Sequence, residues 1–454
     1  MTLWGGRFET GPGETLWGYT TDESDRRLLS DDIEGSIAHV TMLGATGVLE
    51  QAVADVICDH LRNIAVEAAA GEFEFSDDDE DVHSAVERRL GELAGEVAGN
   101  LHTARSRNDQ IALDLRLYLR RSGSERARQL RDFALALAEI AETHAETVVP
   151  SYTHLQQAQP TTLGHCLLAY AWMALRDAGR IGDALGRMNV SPLGAGASAG
   201  TSLPIDPAQT ADLLGFESVF DNSLDAVGSR DHVAEYIFCC AQAMANLSRL
   251  AEEMILWASQ EFGRVRLGDD VSTGSSALPQ KRNPDIAELV RGRSARVAGH
   301  LTAILSLQKG LPLSYNRDLQ EDKRLLFDSD DVLTGSIAAM RALLVGSRFN
   351  PVEPSPGTAS LDLAERLVSH GVPFREAHAA VGRLVLDLEN AGRTLKDAGI
   401  EDLVAVHAAF TPEDLDVLDA DRSVRSRASA GGGSPESVLD QVSKIRELAS
   451  GDHS

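Results

Sequence analysis

The sequence predicts a mainly α-helical protein built around long helices. Aromatic residues make up only 5% of the 454 residues, and no series of alternating β-branched runs indicates a sheet. Two segments, residues 110–149 and 233–262, exceed an ordinary globular helix in length and almost lack helix-breaking residues. Helices of this length are typical of bundles. At about 150 residues per domain, the chain length favours three domains.

The positions of glycine and proline define the individual helices. On this basis the predicted helices are 110–149, 163–188, 233–262, 285–309 and 330–344. The first contains one glycine and is expected to end at Pro150, while residues 233–262 contain neither Gly nor Pro. The fourth follows Pro284 and stops before Gly310, as helix start and stop signals predict. The second and fifth contain interior glycines, which a helix tolerates.

Two composition shifts suggest domain boundaries. Pro351, Pro354 and Pro356 mark a linker, and a second boundary is expected near residue 105, before the first long helix. We therefore predict an N-terminal helical domain (1–105), a central long-helix bundle domain (106–353) and a small C-terminal helical domain (354–454).

The charge balance bears on possible partners. With 42 basic and 69 acidic residues the net charge is −27, which disfavours nucleic acid and anionic membrane surfaces as partners. Four cysteines without metal-ligand spacing, and a start without a secretory signal, favour a reducing cytoplasm. The chain has only five lysines, so the acidic surplus indicates either adaptation to high salt or a GC-rich genome that favours Arg codons.

Two common motifs are assigned to loops. Gly196–Gly200 (GASAG) fits the GxSxG pattern of hydrolases, which requires a strand before it and a helix after it. Pro192 precedes the motif and residues 201–207 (TSLPIDP) cannot continue it as a helix, so neither a hydrolase elbow nor a dinucleotide fingerprint is predicted. The acidic run 77–81 (DDDED) lacks the alternation of a calcium loop and is interpreted as a solvated loop.

Four polar clusters lie beside the predicted long helices. They are HTARSRNDQ (102–110), THLQQAQP (153–160), GSSALPQKRNP (274–284) and KGLPLSYNRDLQEDK (309–323). Each one taken singly also fits a helix cap, as Asn283 before Pro284 illustrates. Together they supply many cationic and amide donors without any metal, phosphate or Cys–His signature. This set suits proton removal beside a carboxylate, where preorganised donors stabilise the developing dianion.

The cluster at 274–284 closely resembles the signature loop of the fumarase/aspartase superfamily, GSSxMPxKxNP, with Leu278 in place of methionine. Three segments resemble the argininosuccinate lyase branch: HTARSRNDQ (102–110), YNRDLQEDK (315–323) and GVPFREAH (371–378). The resemblance extends from WGGRF (4–8) to the glycines at 431–433. It implies an all-α, three-domain fumarase/aspartase-like fold whose central long-helix bundle is shared in a homotetramer. It also implies active sites that are each assembled from three subunits.

The resemblance assigns proton transfer to four residues. Ser275 matches the group that removes the proton from the succinyl carbon, and Lys281 is the nearby cation expected to activate it. His154 matches the second proton-transfer group, with Glu288 as the carboxylate that would orient it. Which of Ser275 and His154 is the base stays open, and Ser275 is favoured.

Substrate binding is assigned in the same way. The matching positions are Thr21, Arg107, Asn108, Thr153, Arg230, Asn283, Tyr315, Gln320 and Lys323. Thr21 stands where the family usually has serine, and both side chains offer a hydroxyl. Asp81 and His83 match the family's EDxH element and are expected to support the site. His232 stands where phenylalanine is expected, and the sequence gives it no role.

The implied reaction is the reversible elimination of argininosuccinate to fumarate and arginine, without a cofactor or metal. One alternative is another fumarate-releasing lyase, such as adenylosuccinate lyase or aspartase, against which the segments 102–110 and 371–378 argue. The other is a non-catalytic structural homologue, against which the complete set of acid, base and carboxylate-binding residues argues.

Overall fold

The structure, a computed structural model, describes residues 11 and 13–451 and confirms the prediction of a mainly helical chain. In the described part the α-helices are α1 (Glu14–Thr20), α2 (Leu29–Ala45), α3 (Gln51–Ala70), α4 (Val82–Ala94), α5 (Arg107–Thr143), α6 (Leu163–Arg187), α7 (Pro207–Leu213), α8 (Ser223–Gly228), α9 (Asp231–Ala258), α10 (Asp285–Gln308), α11 (Asp322–Val345), α12 (Ser360–Ser369), α13 (Phe374–Asn390), α14 (Ile400–Val406), α15 (Ala420–Arg425) and α16 (Pro435–Ser450). The WGGRF segment lies outside the described residues.

The described strands form three two-stranded sheets. They are β1 (Val148–Thr153) with β2 (Gln156–Thr162), β3 (Val190–Ser191) with β4 (Ser218–Val219), and β5 (Val265–Arg266) with β6 (Arg348–Phe349). The β3–β4 pair is parallel and the other two are antiparallel. None of these strands was predicted.

Two helix boundaries differ from the prediction. The helix α5 ends at Thr143, not at residue 149, because a turn at residues 144–147 leads into β1, where Val148 pairs with Thr162. The helix α11 begins at Asp322, not at residue 330, since a 3-10 turn at Arg317–Glu321 continues directly into it. The remaining long helices lie within a few residues of their predicted bounds.

The chain forms two compact units that cut across the three predicted domains, and that three-domain division stays a prediction. The first unit comprises residues 1–127, 179–241 and 295–333, and the second comprises residues 128–178, 242–294 and 334–454. Part of the core of the first unit lies between α2, α3 and α4, where Ile33, Ile57 and Leu61 are buried. Part of the core of the second unit lies between α12 and α13. Across the described residues, no helix is both long and apolar enough to cross a membrane.

Candidate active site

A pocket in the first unit collects seven of the residues predicted to bind or support the substrate. Its lining consists of Asp25, Glu80, Asp81, His83, Arg107, Asn108, Ile111, Tyr315, Arg317, Gln320 and Lys323. Four sequence segments that are separated in the chain therefore meet at one place. Their proximity is the feature of the structure that most directly supports the sequence-based assignment of a binding site.

Several of these residues lie at the N-termini of three helices. Asp81 is the N-cap of α4 and its carboxylate accepts the Ser84 N–H at 2.8 Å, which places His83 in the first turn. Arg107 is the first residue of α5, and Lys323 lies in the first turn of α11. Helix N-termini carry partial positive charge and free N–H groups, so the local backbone favours an anionic ligand.

Charged side chains in this pocket already have partners. Arg107 Nη1 lies 3.0 Å from Glu80 Oε2 and 3.1 Å from Asp81 Oδ2. Burial raises the pKa of Asp25 to about 6, although the charges of His83 and Lys323 act in the opposite direction. The site therefore combines cations for carboxylates with anions suited to an ammonium or guanidinium group.

Arg230 lies beside a second cavity in the first unit, lined also by Gln308 and Ser314. Its guanidinium is buried, and Nε donates to Asp322 Oδ2 at 2.5 Å. A Cβ at Gly228 would lie 2.7 Å from the Ser314 carbonyl oxygen, so only glycine allows this close approach.

Thr20, the residue before Thr21, is hydrogen-bonded to the segment 315–323. The Thr20 carbonyl accepts hydrogen bonds from Arg317 Nη2 at 2.7 Å and from Gln320 Nε2 at 3.0 Å. The Thr21 hydroxyl itself donates to the Trp17 carbonyl at 2.7 Å. The backbone next to Thr21 is thus tied to the same segment that carries Tyr315 and Lys323.

The glycine-rich loop of the GxSxG motif is a loop, as predicted. Buried Asp109, in the first turn of α5, accepts the N–H groups of Gly194 at 3.1 Å and Gly196 at 2.8 Å. Asn108 Nδ2 also donates to the Ala197 carbonyl at 2.9 Å. These contacts bind the loop to the helix start that holds Arg107 and Asn108.

The signature loop belongs to the second unit and is closed at its base. Thr273 and Asn283 form an antiparallel bridge, in which the Asn283 N–H donates to the Thr273 carbonyl at 2.9 Å. The Asn283 Nδ2 group donates to the Thr273 hydroxyl at 3.2 Å, so this side chain braces the loop in addition to preceding α10. The bridge holds the two ends of the loop, residues 274–282, close together.

Ser275 lies inside this loop with two backbone donors directed at its hydroxyl oxygen. The N–H groups of Ala277 and Leu278 lie 3.3 Å and 3.1 Å from Ser275 Oγ. Donors at this distance stabilise negative charge on the oxygen, so they favour the alkoxide form that a serine base requires. Lys281 is exposed on the same loop, where its charge is free to approach a ligand.

His154 lies at the tip of the β1–β2 hairpin. Both central residues of the turn, His154 and Leu155, have left-handed backbone conformations with φ of 54° and 57°. Non-glycine residues adopt this conformation at a cost, and such strain is concentrated at functional sites. The side chains of Thr153 and His154 are exposed.

Glu288 lies in the first turn of α10, and its side chain is also exposed. Within the part of the chain that the structure describes, neither a hydrogen bond nor an ion pair joins Glu288 to His154. Their predicted pairing stays a prediction.

Several residues at these sites were not singled out from the sequence. Asp322 balances Arg230, Asp25 lines the first pocket, and Asp285 bonds the Thr273 hydroxyl at the base of the signature loop. Asp322 lies within the quoted segment 309–323 and Asp285 directly follows the segment 274–284, so their positions were the available signal. For Asp25 the sequence offered no signal, because an isolated aspartate in an acidic chain is unremarkable.

His232 is a buried histidine whose Nδ1 lies 3.6 Å from Asp231 Oδ1, too far for a good hydrogen bond. Burial, together with the nearby charge of Arg116, lowers the pKa of His232 to about 3. The ring is therefore neutral in the folded protein at neutral and mildly acidic pH.

The substitution His232→Phe is expected to stabilise the protein increasingly as pH falls. Between pH 6.5 and 3 the unfolded chain takes up a proton at His232 and the folded chain does not, so this histidine costs stability as pH falls. At pH 5 the gain from removing it is about 2 kcal/mol larger than at pH 7.5. Urea unfolding at both pH values measures this difference in the free energy of unfolding. The control is His378→Phe, which replaces an exposed histidine. An equal gain at both pH values would contradict the account of His232.

Comparisons with known proteins point to one family. A family model described as "Lyase" matches residues 6–299, and one described as "Argininosuccinate lyase C-terminal" matches residues 358–425. An argininosuccinate lyase of Moorella thermoacetica is 46% identical over 99% of this chain and 98% of its own length. One of Carboxydothermus hydrogenoformans is 44% identical over 98% of this chain and 99% of its own length.

Solved structures show the same fold. A crystal structure of EDDS lyase in complex with formate has a TM-score of 0.79 and 28% identity, covering 95% of this chain and 88% of that chain. A 3-carboxy-cis,cis-muconate lactonizing enzyme from Pseudomonas putida has a TM-score of 0.74 at 18% identity, covering 96% of this chain and all of that chain. The second likeness concerns the fold alone.

Proposed function

Because the chain belongs to the argininosuccinate lyase family, we propose that Ser275 and His154 carry the proton transfers by which it converts argininosuccinate reversibly to fumarate and arginine. The chain is a lyase. The observation that supports the substrate-binding part of this proposal is the pocket at the N-termini of α4, α5 and α11, where seven of the residues predicted to bind or support the substrate meet. We place the reaction in arginine biosynthesis.

In the proposed reaction Ser275 removes a proton from the carbon beside a succinyl carboxylate. The electron pair left on that carbon is delocalised into the carboxylate, and the resulting dianion is stabilised by nearby cations and N–H donors. The two amide donors at Ser275 Oγ and the charge of Lys281 favour the serine alkoxide. The pair then forms the carbon–carbon double bond of fumarate as the carbon–nitrogen bond breaks.

His154 supplies the proton for the leaving nitrogen. Its exposed position at a hairpin tip, in a strained turn, fits a group that is presented to a ligand. Protonation makes the leaving group a guanidinium cation, which is stable in water, so this mechanism assigns no step to a metal or cofactor. Glu288 is proposed to orient the imidazole.

The active enzyme is proposed to be a homotetramer in which three subunits contribute to each site. The exposure of His154, Lys281 and Glu288 in the single chain supports this proposal, because proton-transfer groups work best where water is excluded. Thr153 and Asn283 are expected to act at the same shared sites, with Arg107, Asn108, Arg230, Tyr315, Gln320, Lys323 and Thr21 as further contacts.

A cytoplasmic location and adaptation to salt are further parts of the proposal. All four cysteines lie among the described residues and none of them forms a disulfide there, which agrees with a reducing compartment. The net charge of −27 implies self-repulsion that salt would screen.

The proposed function predicts fumarate release from argininosuccinate with an equal amount of arginine. Fumarate absorbance and arginine analysis measure the two products at low and at molar salt, with adenylosuccinate and aspartate as comparison substrates. Fumarate from either comparison substrate in place of argininosuccinate would assign a different lyase reaction. No product from any of the three, by a correctly assembled protein in both salts, would favour a structural homologue.

A further inference from the structure

A buried polar group lies directly behind the wall of the first-unit pocket. Asp32 on α2 accepts hydrogen bonds at Oδ1 from His83 Nδ1 at 2.8 Å and from Gln110 Nε2 at 2.5 Å. Asp114 on α5 completes the group, with Oδ2 at 3.6 Å from His83 Nδ1. All four side chains are buried, and of the four His83 is the one that lines the pocket.

Close packing of α2 on α5 fixes the position of Asp32. A Cβ at Gly35 would lie 2.7 Å from Leu113 Cδ2, so the absence of a side chain there lets the two helices approach. Arg105, just before α5, adds a link to α2 because its Nη1 donates to the Ser36 hydroxyl at 2.9 Å. Asp32 therefore meets Gln110 and Asp114 in a rigid setting.

The contacts determine which atoms carry protons. Asp32 Oδ1 accepts from His83, so His83 Nδ1 carries a hydrogen and Nε2 is the nitrogen left for the pocket. Burial lowers the pKa of His83, but the charge and hydrogen bond of Asp32 outweigh it and raise the pKa overall. Burial and the neighbouring charge of Asp32 raise the pKa of Asp114 well above its usual value, which favours the uncharged form of Asp114.

Other titratable or charged groups act on this group from the surrounding elements. They are Asp25 before α2, Asp31 on α2, Asp81 at the N-cap of α4, Glu87 on α4, and His102 and Arg105 before α5; Lys323 on α11 acts on Asp25. Asp25 and Asp81 favour a charged His83, as Asp32 does. Among them Asp32 is the carboxylate that bonds the ring directly.

We propose that Asp32 is a positioning residue that keeps His83 as an imidazolium with Nε2–H directed at the pocket, where it binds a carboxylate of the substrate. This inference rests on the proposed function for the identity of the ligand. The proposal gives His83 a role in binding. It also explains why a charged Asp32 is buried although Asp32 is not part of the pocket lining.

The test is the pH dependence of substrate binding in Asp32→Asn. Without the Asp32 carboxylate, burial of the ring is opposed only by the charges of Asp81 and Asp25, so the pKa of His83 falls and the imidazolium is populated to a larger extent at pH 6 than at pH 8. The KM for argininosuccinate, relative to the unmodified enzyme, is expected to rise about tenfold at pH 8 and to recover toward equality at pH 6. The kcat is expected to change much less than KM.

Asp31→Asn is the matched control. Asp31 is the adjacent residue on α2, is also buried, and pairs with Arg121 in place of His83. Its substitution is expected to leave the KM ratio between pH 6 and pH 8 unchanged. A ratio that shifts equally in both variants would overturn the specific role of Asp32.

Ring protonation of His83 is read separately by NMR of the histidine side chains, assigned with His83→Gln and recorded without ligand. His83 is expected to be charged at pH 8 in the unmodified protein and neutral at pH 8 in Asp32→Asn. Two results would overturn the proposal. One is a loss of affinity in Asp32→Asn that is equal at pH 6 and pH 8, and the other is a charged His83 in that variant at pH 8.

His83→Gln provides a second variant in case Asp32→Asn does not fold. It is expected to show the same rise in KM at both pH values, and an unchanged KM would contradict the inference. Failure of the proposed function is distinguishable, because it would appear as absent fumarate release by the unmodified protein. The ligand-free NMR titration would still decide whether Asp32 controls the charge of His83.

Discussion

Ser275→Ala is expected to lower kcat by about 10²–10⁴-fold while leaving argininosuccinate binding and assembly intact. The substitution removes the proposed base but none of the cations that bind the carboxylates. The hydroxyl of Ser275 accepts bonds from Ala277 and Leu278, and the base of the loop is held separately by Thr273 and Asn283. The loop is therefore expected to keep its fold in the variant.

Fumarate absorbance measures the rate, and calorimetric titration with argininosuccinate measures the retained affinity. Ser276→Ala is the matched control, because Ser276 is the adjacent exposed serine on the same loop and makes no contact that the mechanism uses. The control is expected to remain within a few-fold of full activity. Retention of more than a few per cent of activity by Ser275→Ala would remove this serine from the mechanism.

Much of the helical architecture was predictable because long helices have strong local signals. The run from residue 233 to 262 lacks Gly and Pro, and the structure forms α9 over Asp231–Ala258. Pro284 likewise marked the start of α10 at Asp285. In these segments local propensity and tertiary packing favour the same conformation.

The hairpin β1–β2 was not predictable for a physical reason. Both strands contain a proline, Pro150 opposite Pro160, and the turn consists of His154 and Leu155 in place of the Asn-Gly that usually favours such a turn. Tertiary contacts must therefore stabilise this hairpin. One such contact is the hydrogen bond that buried Arg264 donates to the Pro150 carbonyl at 2.8 Å. A single sequence carries no record of such a contact.

The site was predictable as a set of residue types, but not as a set of partners. The polar clusters pointed to Arg107, Tyr315 and Lys323, and the structure brings these together in one pocket. The buried carboxylates Asp25 and Asp32 carry no motif, because their importance arises from burial beside His83 and not from sequence spacing. Burial is a property of the fold, so this part of the site required the structure.

The central claim is that the binding pocket with Arg107 and the loop with Ser275 act together in sites shared between subunits. Arg107→Gln is expected to reduce activity strongly, because it removes a cation from the pocket and breaks the ion pairs that Arg107 makes with Glu80 and Asp81. Each variant, Ser275→Ala and Arg107→Gln, is therefore expected to be nearly inactive alone.

The most direct measurement mixes these two variants in equal amounts, dissociates and reassembles them together, and records fumarate formation from argininosuccinate. If the two residues of a site come from different subunits, random assembly leaves about one quarter of the sites with both residues intact, so about one quarter of full activity is expected. Each variant taken alone through the same procedure is the control. Activity in the mixture no higher than that of the controls would contradict a shared site.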